Sequence, residues 1–304
     1  MSRCLAVCIA DFLLWPSAAQ QMGAKSGSRG EKLISFDVPR EIKTVSPALR
    51  LQSLRVMSWN IDRGSHWGRI ADEIASQPVD LCLLQEVDWG TARVGNVDVG
   101  AELARRLHLN LAYGIEFEEM SQERGSPAYT GQATLTRLPI RHSRLLRFQS
   151  QSGFWKPRSW IPSSLPLMQR RAGGRVALVT EIAFAGKPLV VYNAHLESRS
   201  YGRIQMNQLD EILADLQSHY SSGTPVIIGG DLNTKYLPSI FLRKMEREGF
   251  HSATGQRIER STPIAMALDW IFVRGPVRWE SGAVRRDWKG SDHYPVYAEL
   301  TALP

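Results

Sequence analysis

The sequence is short of cysteine. Its 304 residues contain three, and two of these, Cys4 and Cys8, lie in an apolar stretch at the N-terminus. The third, Cys82, lies in an apolar run and is interpreted as a small buried side chain. A single cysteine outside the N-terminal stretch excludes a disulfide framework, a zinc knuckle and a redox pair. It fits an oxidising or a reducing compartment equally well.

Long hydrophobic runs and phosphate-binding glycine loops are also absent. No apolar run reaches the roughly 18 residues that a transmembrane helix requires. The sequence contains no P-loop and no internal repeat of short period. Hydrophobic residues make up 43% and charged residues 22%, which is the ordinary range of globular proteins. The length suffices for one large α/β domain, or two small ones, with a sizeable core.

The N-terminus differs in composition from the rest of the chain. Residues 1–20 have a basic start at Arg3, an apolar stretch over 4–15 and then small residues, which is typical of a signal peptide, although Asp11 interrupts the stretch. A signal peptide predicts a secreted or periplasmic protein, and the alternative is a disordered N-terminus of a cytoplasmic one. Residues 21–50 are polar and aperiodic and are predicted to be a flexible tether before a domain over 51–304.

Acidic residues are missing from one long segment. Residues 124–180 contain ten Lys and Arg and no Asp or Glu, within a chain of net charge +7. Trp155, Trp160 and Ile161 lie in the same segment. Basic residues interleaved with aromatic ones favour a polyanion such as nucleic acid, or a membrane surface. The alternative is a long solvated loop.

Short apolar runs alternate with segments of helical periodicity. Strands are predicted over 54–60, 80–87, 131–136, 175–185, 187–196, 224–230, 268–273 and 294–300, and helices over 67–77, 99–107, 203–219 and 238–248. Because several strands follow one another without an intervening helix, we expect an α/β fold with mixed sheets. The segment 149–174 is rich in Pro, Ser and Gly and is predicted to be a long loop.

Polar side chains recur at the ends of the predicted strands. They are Asn60, Glu86, His195, Asp231, Asn233, Asp269, Asp292 and His293. Each alone could be a turn, capping or hydrogen-bonded structural residue, but together they form a chemically coherent set at the edge of a core. Oxygen ligands with few cysteines favour Mg²⁺, with Mn²⁺ or Ca²⁺ as alternatives, whereas zinc would require more His or Cys. The set predicts a divalent-metal site that works on phosphate.

Six short motifs occur in a characteristic order. They are WN at 59–60, QEV at 85–87, NAHL at 193–196, GDLN at 230–233, LDWI at 268–271 and SDHYPV at 291–296. Together they resemble the endonuclease/exonuclease/phosphatase family, which includes deoxyribonuclease I and exonuclease III. The resemblance runs from about residue 55 to residue 300. It implies a four-layer α/β sandwich in which two mixed sheets pack face to face with helices outside and the site lies at one end.

The resemblance also implies a role for each polar residue. Asn60 and Glu86 would hold the metal, with Asp292 as a possible further ligand. Asp231 and Asn233 would position the attacking water and a phosphate oxygen. Asp269 would orient His293 and favour its protonated form, and His195 would bind a phosphoryl oxygen or protonate the leaving group. Asp231 and His293 both remain candidates for the general base.

Three functions are consistent with the sequence. The first is a metal-dependent phosphodiesterase or nuclease in which water attacks directly, because no Ser or Cys nucleophile motif is present. The second is a phosphoesterase that acts on lipid headgroups or small phosphate esters, similar to a sphingomyelinase. The third is a non-catalytic binding protein on the same fold, against which the complete set of polar residues argues. The sequence indicates no obligate protein partner, and it leaves the substrate and the oligomeric state open.

Overall fold

The computed structural model describes residues 36–44, 51–120, 127–154, 171–236 and 238–303. The described strands are β1 (Arg40–Ile42), β2 (Ser53–Arg63), β3 (Leu81–Trp89), β4 (Asn110–Glu119), β5 (Tyr129–Thr136), β6 (Ile140–Arg147), β7 (Arg171–Gly173), β8 (Val176–Phe184), β9 (Lys187–His195), β10 (Val226–Asp231), β11 (His251–Ser252), β12 (Asp269–Arg274), β13 (Val277–Val284) and β14 (Val296–Ala302). The described helices are α1 (Trp67–Ala75), α2 (Val99–Leu107), α3 (Arg203–His219) and α4 (Pro238–Arg247), with a 3₁₀ turn over Ala92–Val94. Among these helices, none has the length and apolar character to cross a membrane.

The strands form two mixed sheets. The first has eight strands in the order β1-β4-β5-β3-β2-β14-β13, with β7 also paired to β4. The second has six strands in the order β11-β12-β10-β9-β8-β6. In each sheet one central pair is parallel, β2 with β3 and β9 with β10, and the other described pairs are antiparallel. The prediction of mixed sheets is confirmed.

The molecule has four layers because each sheet has two apolar faces. Apolar side chains of β2, β3, β14, β8, β10 and β12 form a core between the sheets. A second core lies between the first sheet and helices α1 and α2, and a third lies between the second sheet and helices α3 and α4. The predicted four-layer α/β sandwich is therefore confirmed.

Alternation along the strands decides which side chains face the other sheet. In β10, Ile227 belongs to the core between the sheets, whereas Val226 and Ile228 belong to the core beneath the helices. In β9, Val191 faces the other sheet and Val190 and Tyr192 face the helices. Because successive side chains point to opposite faces, the same periodicity directs the last residues of these strands toward the gap between the sheets.

Several strands were not predicted from the sequence. The strand β4 pairs with β1, β5 and β7 in the first sheet, and β6, β11 and β13 are edge strands. The strand β7 lies within the segment predicted to be a loop over 149–174, which corrects that prediction. The strand β1 lies within the predicted tether over 21–50 and pairs with β4. The prediction of a tether is therefore wrong for this strand, and the domain begins before residue 51. Residues 1–35, with the predicted signal peptide, lie outside the described residues.

In the part that the structure describes, most arginines of the basic segment 124–180 form ion pairs. Its ion pairs join Arg137 to Asp80 at 3.6 Å, Arg144 to Asp215 at 2.7 Å, Arg147 to Asp37 at 2.8 Å, Arg171 to Glu119 at 2.9 Å and Arg175 to Glu116 at 2.6 Å. Arg171 and Arg175 are buried and Arg144 is held by a bidentate pair, so these three are not a free surface for a polyanion, which corrects the interpretation for them. The side chains of Arg137 and Arg147 remain 49% and 31% exposed. Trp155, Trp160 and Ile161 lie outside the described residues, and membrane contact through them stays a prediction.

Candidate functional site

Asp231, the last residue of β10, is the centre of the site. Asn60 Nδ2 donates a hydrogen bond to Asp231 Oδ2 over 3.1 Å. His195 Nε2 lies 3.6 Å and His293 Nε2 lies 3.9 Å from the same oxygen. Side chains from three other parts of the chain thus converge on one carboxylate oxygen that is almost fully buried.

The backbone before Asp231 requires glycine. Gly230 has a φ of +141°, and a Cβ at this position would lie 1.8 Å from the carbonyl oxygen of Ala194 in the neighbouring strand β9. The parallel register of β9 and β10 pairs Asp231 with His195. Close contact between these two strands therefore places the carboxylate and the imidazole side by side.

His195 is fixed from behind by a buried ion pair. Arg175 Nη1 lies 2.6 Å from Glu116 Oε1 and 2.7 Å from His195 Nδ1. Because a guanidinium nitrogen can only donate hydrogen bonds, His195 Nδ1 accepts, and the ring proton lies on Nε2. His195 Nε2 also lies 3.9 Å from Glu86 Oε1. The ion pair thus directs an N–H group toward the carboxylates of the site.

His293 is held by a carboxylate instead. Its Nδ1 lies 2.8 Å from Oδ2 of Asp269, the first residue of β12, and the backbone N–H of Asp269 donates to Ser261 Oγ. Burial acts to lower the pKa of His293, but the charges of Asp269 and Asp231 outweigh it and raise this pKa well above its ordinary value. Burial raises the pKa of Asp269 to about 6. The pair therefore favours a protonated imidazole beside Asp231.

Glu86 reaches the site through a β-bulge. The pairing of β3 with β5 shifts register between Leu84 and Val87, and Glu86 adopts a φ of +51°. Bulges re-aim side chains next to active sites. Burial acts to raise the pKa of Glu86, but Arg63 and other nearby positive charges more than offset it, and the pKa falls to about 2. The carboxylate is therefore ionised at neutral pH, and it lies 3.7 Å from Arg63 Nε and 3.9 Å from His195 Nε2.

Asn60 lies near the end of β2, next to a second bulge. The pairing of β2 with β3 shifts register between Asn60 and Arg63, and Asp62 has a φ of +43°. The backbone N–H of Asp62 donates to Asn60 Oδ1 over 3.1 Å. Burial, together with the charges of Asp292 and Glu86, raises the pKa of Asp62. Asp62, which was not predicted, is therefore an additional carboxylate at the rim of the site.

Asn233 and Asp292 occupy different environments. The backbone N–H of Asn233 donates to Asp231 Oδ1 over 3.0 Å, and its side-chain Nδ2 donates to the carbonyl of Leu196 over 2.9 Å. Asp292 is exposed, and its Oδ1 accepts a hydrogen bond from Ser291 Oγ over 3.3 Å. The structure therefore links seven of the eight predicted residues through direct contacts and places Asp292 at the margin, where its role as a metal ligand stays a prediction.

The donor set fits a divalent cation. Glu86 provides an ionised carboxylate whose contacts with Arg63 and His195 are longer than hydrogen bonds, and Asn60 provides an amide oxygen. Such hard oxygen atoms are the ligands of Mg²⁺, Mn²⁺ and Ca²⁺. Asp231, Asp269 and His293 also offer ligand atoms within 4.8 Å of one another. Because the raised pKa of His293 favours a protonated imidazole, which cannot bind a cation, Glu86 and Asn60 are the better candidates.

Glu116 and Arg175, like Asp62, are site residues that were not predicted from the sequence. Glu116 lies in the apolar strand β4 and is fully buried. Burial acts to raise its pKa, but Arg175 reverses the effect and lowers it. A carboxylate within an apolar run was the signal that could have identified Glu116. Arg175 carried no comparable signal because it belongs to a generally basic segment.

A model of the Endonuclease/Exonuclease/phosphatase family matches residues 57–293. The chain belongs to this family, whose members hydrolyse phosphoester bonds and depend on a divalent metal. The comparison with curated protein sequences finds no significant match.

Solved structures share the fold at low sequence identity. An endonuclease/exonuclease/phosphatase from Beutenbergia cavernae DSM 12333 is 19% identical, with a TM-score of 0.61, over 83% of this chain and 72% of that one. The human Nocturnin catalytic domain with bound sulfate anion is 18% identical, with a TM-score of 0.61, over 87% and 97%. A humanized D. rerio TDP2 is 19% identical, with a TM-score of 0.55, over 83% and 100%. These similarities establish the four-layer architecture.

Proposed function

We propose that this protein is a divalent-metal-dependent phosphodiesterase of the nuclease type. The observation that carries the proposal is the convergence of Asn60, His195 and His293 on Asp231 Oδ2, at 3.1, 3.6 and 3.9 Å. Carboxylate, amide and imidazole groups at one point are suited to orient a water molecule and to bind phosphoryl oxygens.

The residues divide into a metal-holding part and a proton-handling part. Glu86 and Asn60 would hold the cation, which when bound neutralises charge on the phosphoryl oxygens. Asp231 Oδ2 would accept the proton of the attacking water. His195 Nε2 carries an N–H group that can donate to a phosphoryl oxygen or to the leaving group, because Arg175 occupies its other nitrogen. His293, whose Nδ1 is held by Asp269, would donate a hydrogen bond from Nε2 to a phosphoryl oxygen.

The alternatives have less support. A phosphoesterase for lipid headgroups would rely on Trp155, Trp160 and Ile161, which lie outside the described residues, so no contact favours it. A non-catalytic binding protein would not need an ionised Glu86, a fixed His195 and an Asp269–His293 pair at one position. The predicted secreted or periplasmic location and the preference for Mg²⁺ remain proposals based on the sequence.

The experiment is hydrolysis of bis-p-nitrophenyl phosphate by the purified protein, with Mg²⁺ or Mn²⁺ and with excess chelator. We expect activity with metal and none with chelator. Asp231→Asn, Glu86→Gln and His293→Ala should each lower kcat/KM by a hundredfold or more, which corresponds to about 3 kcal/mol of transition-state stabilisation.

The matched control is Asp287→Asn. This carboxylate is largely exposed and pairs with Arg285 rather than with a residue of the site, so its removal should leave kcat/KM unchanged. Full activity in chelator would exclude the metal. Equal rates for Asp231→Asn and Asp287→Asn would exclude the proposed site.

A further inference from the structure

Arg63 is a charged residue of the site that has no role in the proposed mechanism. It is the last residue of β2, and its Nε lies 3.7 Å from Glu86 Oε2. The other carboxylate oxygen, Glu86 Oε1, lies 3.9 Å from His195 Nε2. Arg63 and His195 thus face different oxygens of the carboxylate that is a candidate ligand of the cation.

An irregular turn fixes the position of Arg63. Asp62, Arg63 and Gly64 have φ values of +43°, +63° and +73°. This left-handed backbone is ordinary for glycine but strained for Asp and Arg, and such strain is concentrated at active sites and ligand-binding segments. The backbone N–H of Gly64 donates to the carbonyl of Ile61 over 2.9 Å and closes the turn. The turn therefore holds Arg63 beside Glu86 at the cost of an unfavourable conformation.

The guanidinium of Arg63 has donors that nothing in the described part of the chain accepts. Its Nε is buried and has no hydrogen-bond acceptor among the described residues. Its two terminal nitrogens also donate to no described residue, but they reach solvent, and the side chain is 31% exposed. A guanidinium has five N–H donors and no acceptor. The terminal nitrogens can therefore bind an anion that enters the site.

The charge of Arg63 depends on Glu86 for a partner. Among the described residues, Glu86 is the only carboxylate within ion-pair distance of Arg63. Two buried arginines near Glu86 have carboxylate partners of their own, at 2.9 Å for Arg171 with Glu119 and at 2.6 Å for Arg175 with Glu116. A divalent cation held by Glu86 would leave Arg63 without its ion-pair partner and beside a second positive charge. An anion is what both positive groups then attract.

We propose that Arg63 is a phosphate-binding residue that couples binding of the cation to binding of the substrate. Its terminal nitrogens donate to a non-bridging oxygen of the phosphate when Glu86 is occupied by the cation. Without phosphate, the charge of Arg63 opposes the cation. The inference rests on the proposed phosphodiesterase function and adds a residue that determines how tightly the two ligands bind.

The test measures binding of the two ligands separately and without turnover. Mn²⁺ binding at neutral pH, with no phosphate present, is followed by the electron paramagnetic resonance signal of the free ion. Binding of inorganic phosphate to the Mg²⁺-saturated protein is measured by isothermal titration calorimetry. In Arg63→Gln we expect the dissociation constant of Mn²⁺ to fall at least about threefold, because a nearby like charge is removed. The dissociation constant of phosphate should rise at least about tenfold, because a charge-assisted hydrogen bond is lost.

Two further variants separate charge from hydrogen-bond geometry and from general effects. Arg63→Lys keeps the charge but loses the planar fork, so Mn²⁺ binding should stay within about twofold of the wild type while phosphate binding weakens. Arg105→Gln is the matched control, because this arginine is 71% exposed and pairs with Glu102 on helix α2. It should change neither dissociation constant.

The opposite directions of the two changes distinguish this role from a structural one. Unchanged binding of either ligand in Arg63→Gln would overturn the inference, and so would weaker binding of both, which is the result of a disturbed site. A wild type that binds no phosphate in the presence of Mg²⁺ would also overturn it. If the two constants move as expected but the wild type leaves bis-p-nitrophenyl phosphate intact, the proposed function fails and the binding role of Arg63 is supported.

Discussion

Replacement of Arg175 by Met should destabilise the protein strongly. Arg175 and Glu116 are 4% and 1% exposed at their side chains, and their charged atoms lie 2.6 Å apart. Met fills much of the volume of the Arg stem but removes the charge. The Glu116 carboxylate is then left buried without its guanidinium partner.

The magnitude follows from this burial. Removing one partner of a buried ion pair costs about 3–5 kcal/mol, whereas replacing both partners by uncharged groups of similar volume is close to neutral. We therefore expect Arg175→Met and Glu116→Gln each to lower the free energy of unfolding by about 3–5 kcal/mol. The double variant should lose much less than the sum, with a coupling energy of about 2 kcal/mol or more.

The pH dependence gives an independent check. In the wild type Arg175 lowers the pKa of Glu116, so this group stabilises the fold above its unfolded pKa of about 4.3 and loses that contribution as the pH falls through its folded pKa. In Arg175→Met the largest opposing charge is lost, so burial, which His195 then opposes without Arg175, raises the folded pKa of Glu116 above the unfolded value. The folded variant then binds this proton more tightly than the unfolded variant does. Its loss of unfolding free energy relative to the wild type should therefore become smaller as the pH falls.

The assay is urea unfolding of the wild type, the two single variants and the double variant at pH 8 and pH 5.5, followed by circular dichroism. Additive losses in the double variant would refute the ion-pair argument. If the unfolding free energy that Arg175→Met loses relative to the wild type is larger at pH 5.5 than at pH 8, the reasoning about Glu116 is refuted.

Two further predictions concern the backbone beside the site and the basic segment. Gly230→Ala should lower the free energy of unfolding by more than about 2 kcal/mol, because the new Cβ would lie 1.8 Å from the Ala194 carbonyl oxygen. Gly223→Ala is the control, because a Cβ at this position meets nothing within 4 Å. Equal losses for the two variants in urea unfolding would contradict this prediction. Arg144→Ala should lower stability by about 1–3 kcal/mol through loss of a bidentate pair with Asp215, but it should not change the salt dependence of oligonucleotide binding. A decrease of about one in that slope would show instead that Arg144 contacts phosphate.

The sequence was sufficient for the elements whose periodicity is simple. Strands β9 and β10 are continuous apolar runs, and the period of two carries His195 and Asp231 to the side that faces the other sheet. The family motifs supplied the four-layer architecture, which local patterns could not have specified. The helices α2 and α3 were predicted with the bounds that the structure shows.

Irregular backbone limited the prediction at Glu86. Leu81 and Leu83 face the core between the sheets, whereas Cys82 and Leu84 face the helices. A regular strand would therefore turn Glu86 toward the helices and away from the site. The extra residue of the bulge and the positive φ reverse its direction. No periodicity in the sequence reports this change, and Glu86 was placed in the site by its position at a predicted strand end and by the family motif.

Long-range pairing limited the prediction elsewhere. The strand β4 follows helix α2 and contains Glu116, whose partner Arg175 lies 59 residues later in the chain. Whether a charge is exposed or paired depends on such distant contacts, so the segment 124–180 was interpreted as a surface. Strand β1 has only three residues and lies in a polar stretch, so its composition does not predict a strand. It is ordered because it pairs with β4.

The pairing of β1 with β4 has a practical consequence for handling this protein. Arg40, Glu41 and Ile42 lie opposite Tyr113, Ala112 and Leu111. A recombinant version trimmed at residue 51 would leave this stretch of β4 uncovered, and an uncovered edge recruits strands from other molecules. Expression of the domain should therefore start upstream of residue 36 if self-association is to be avoided.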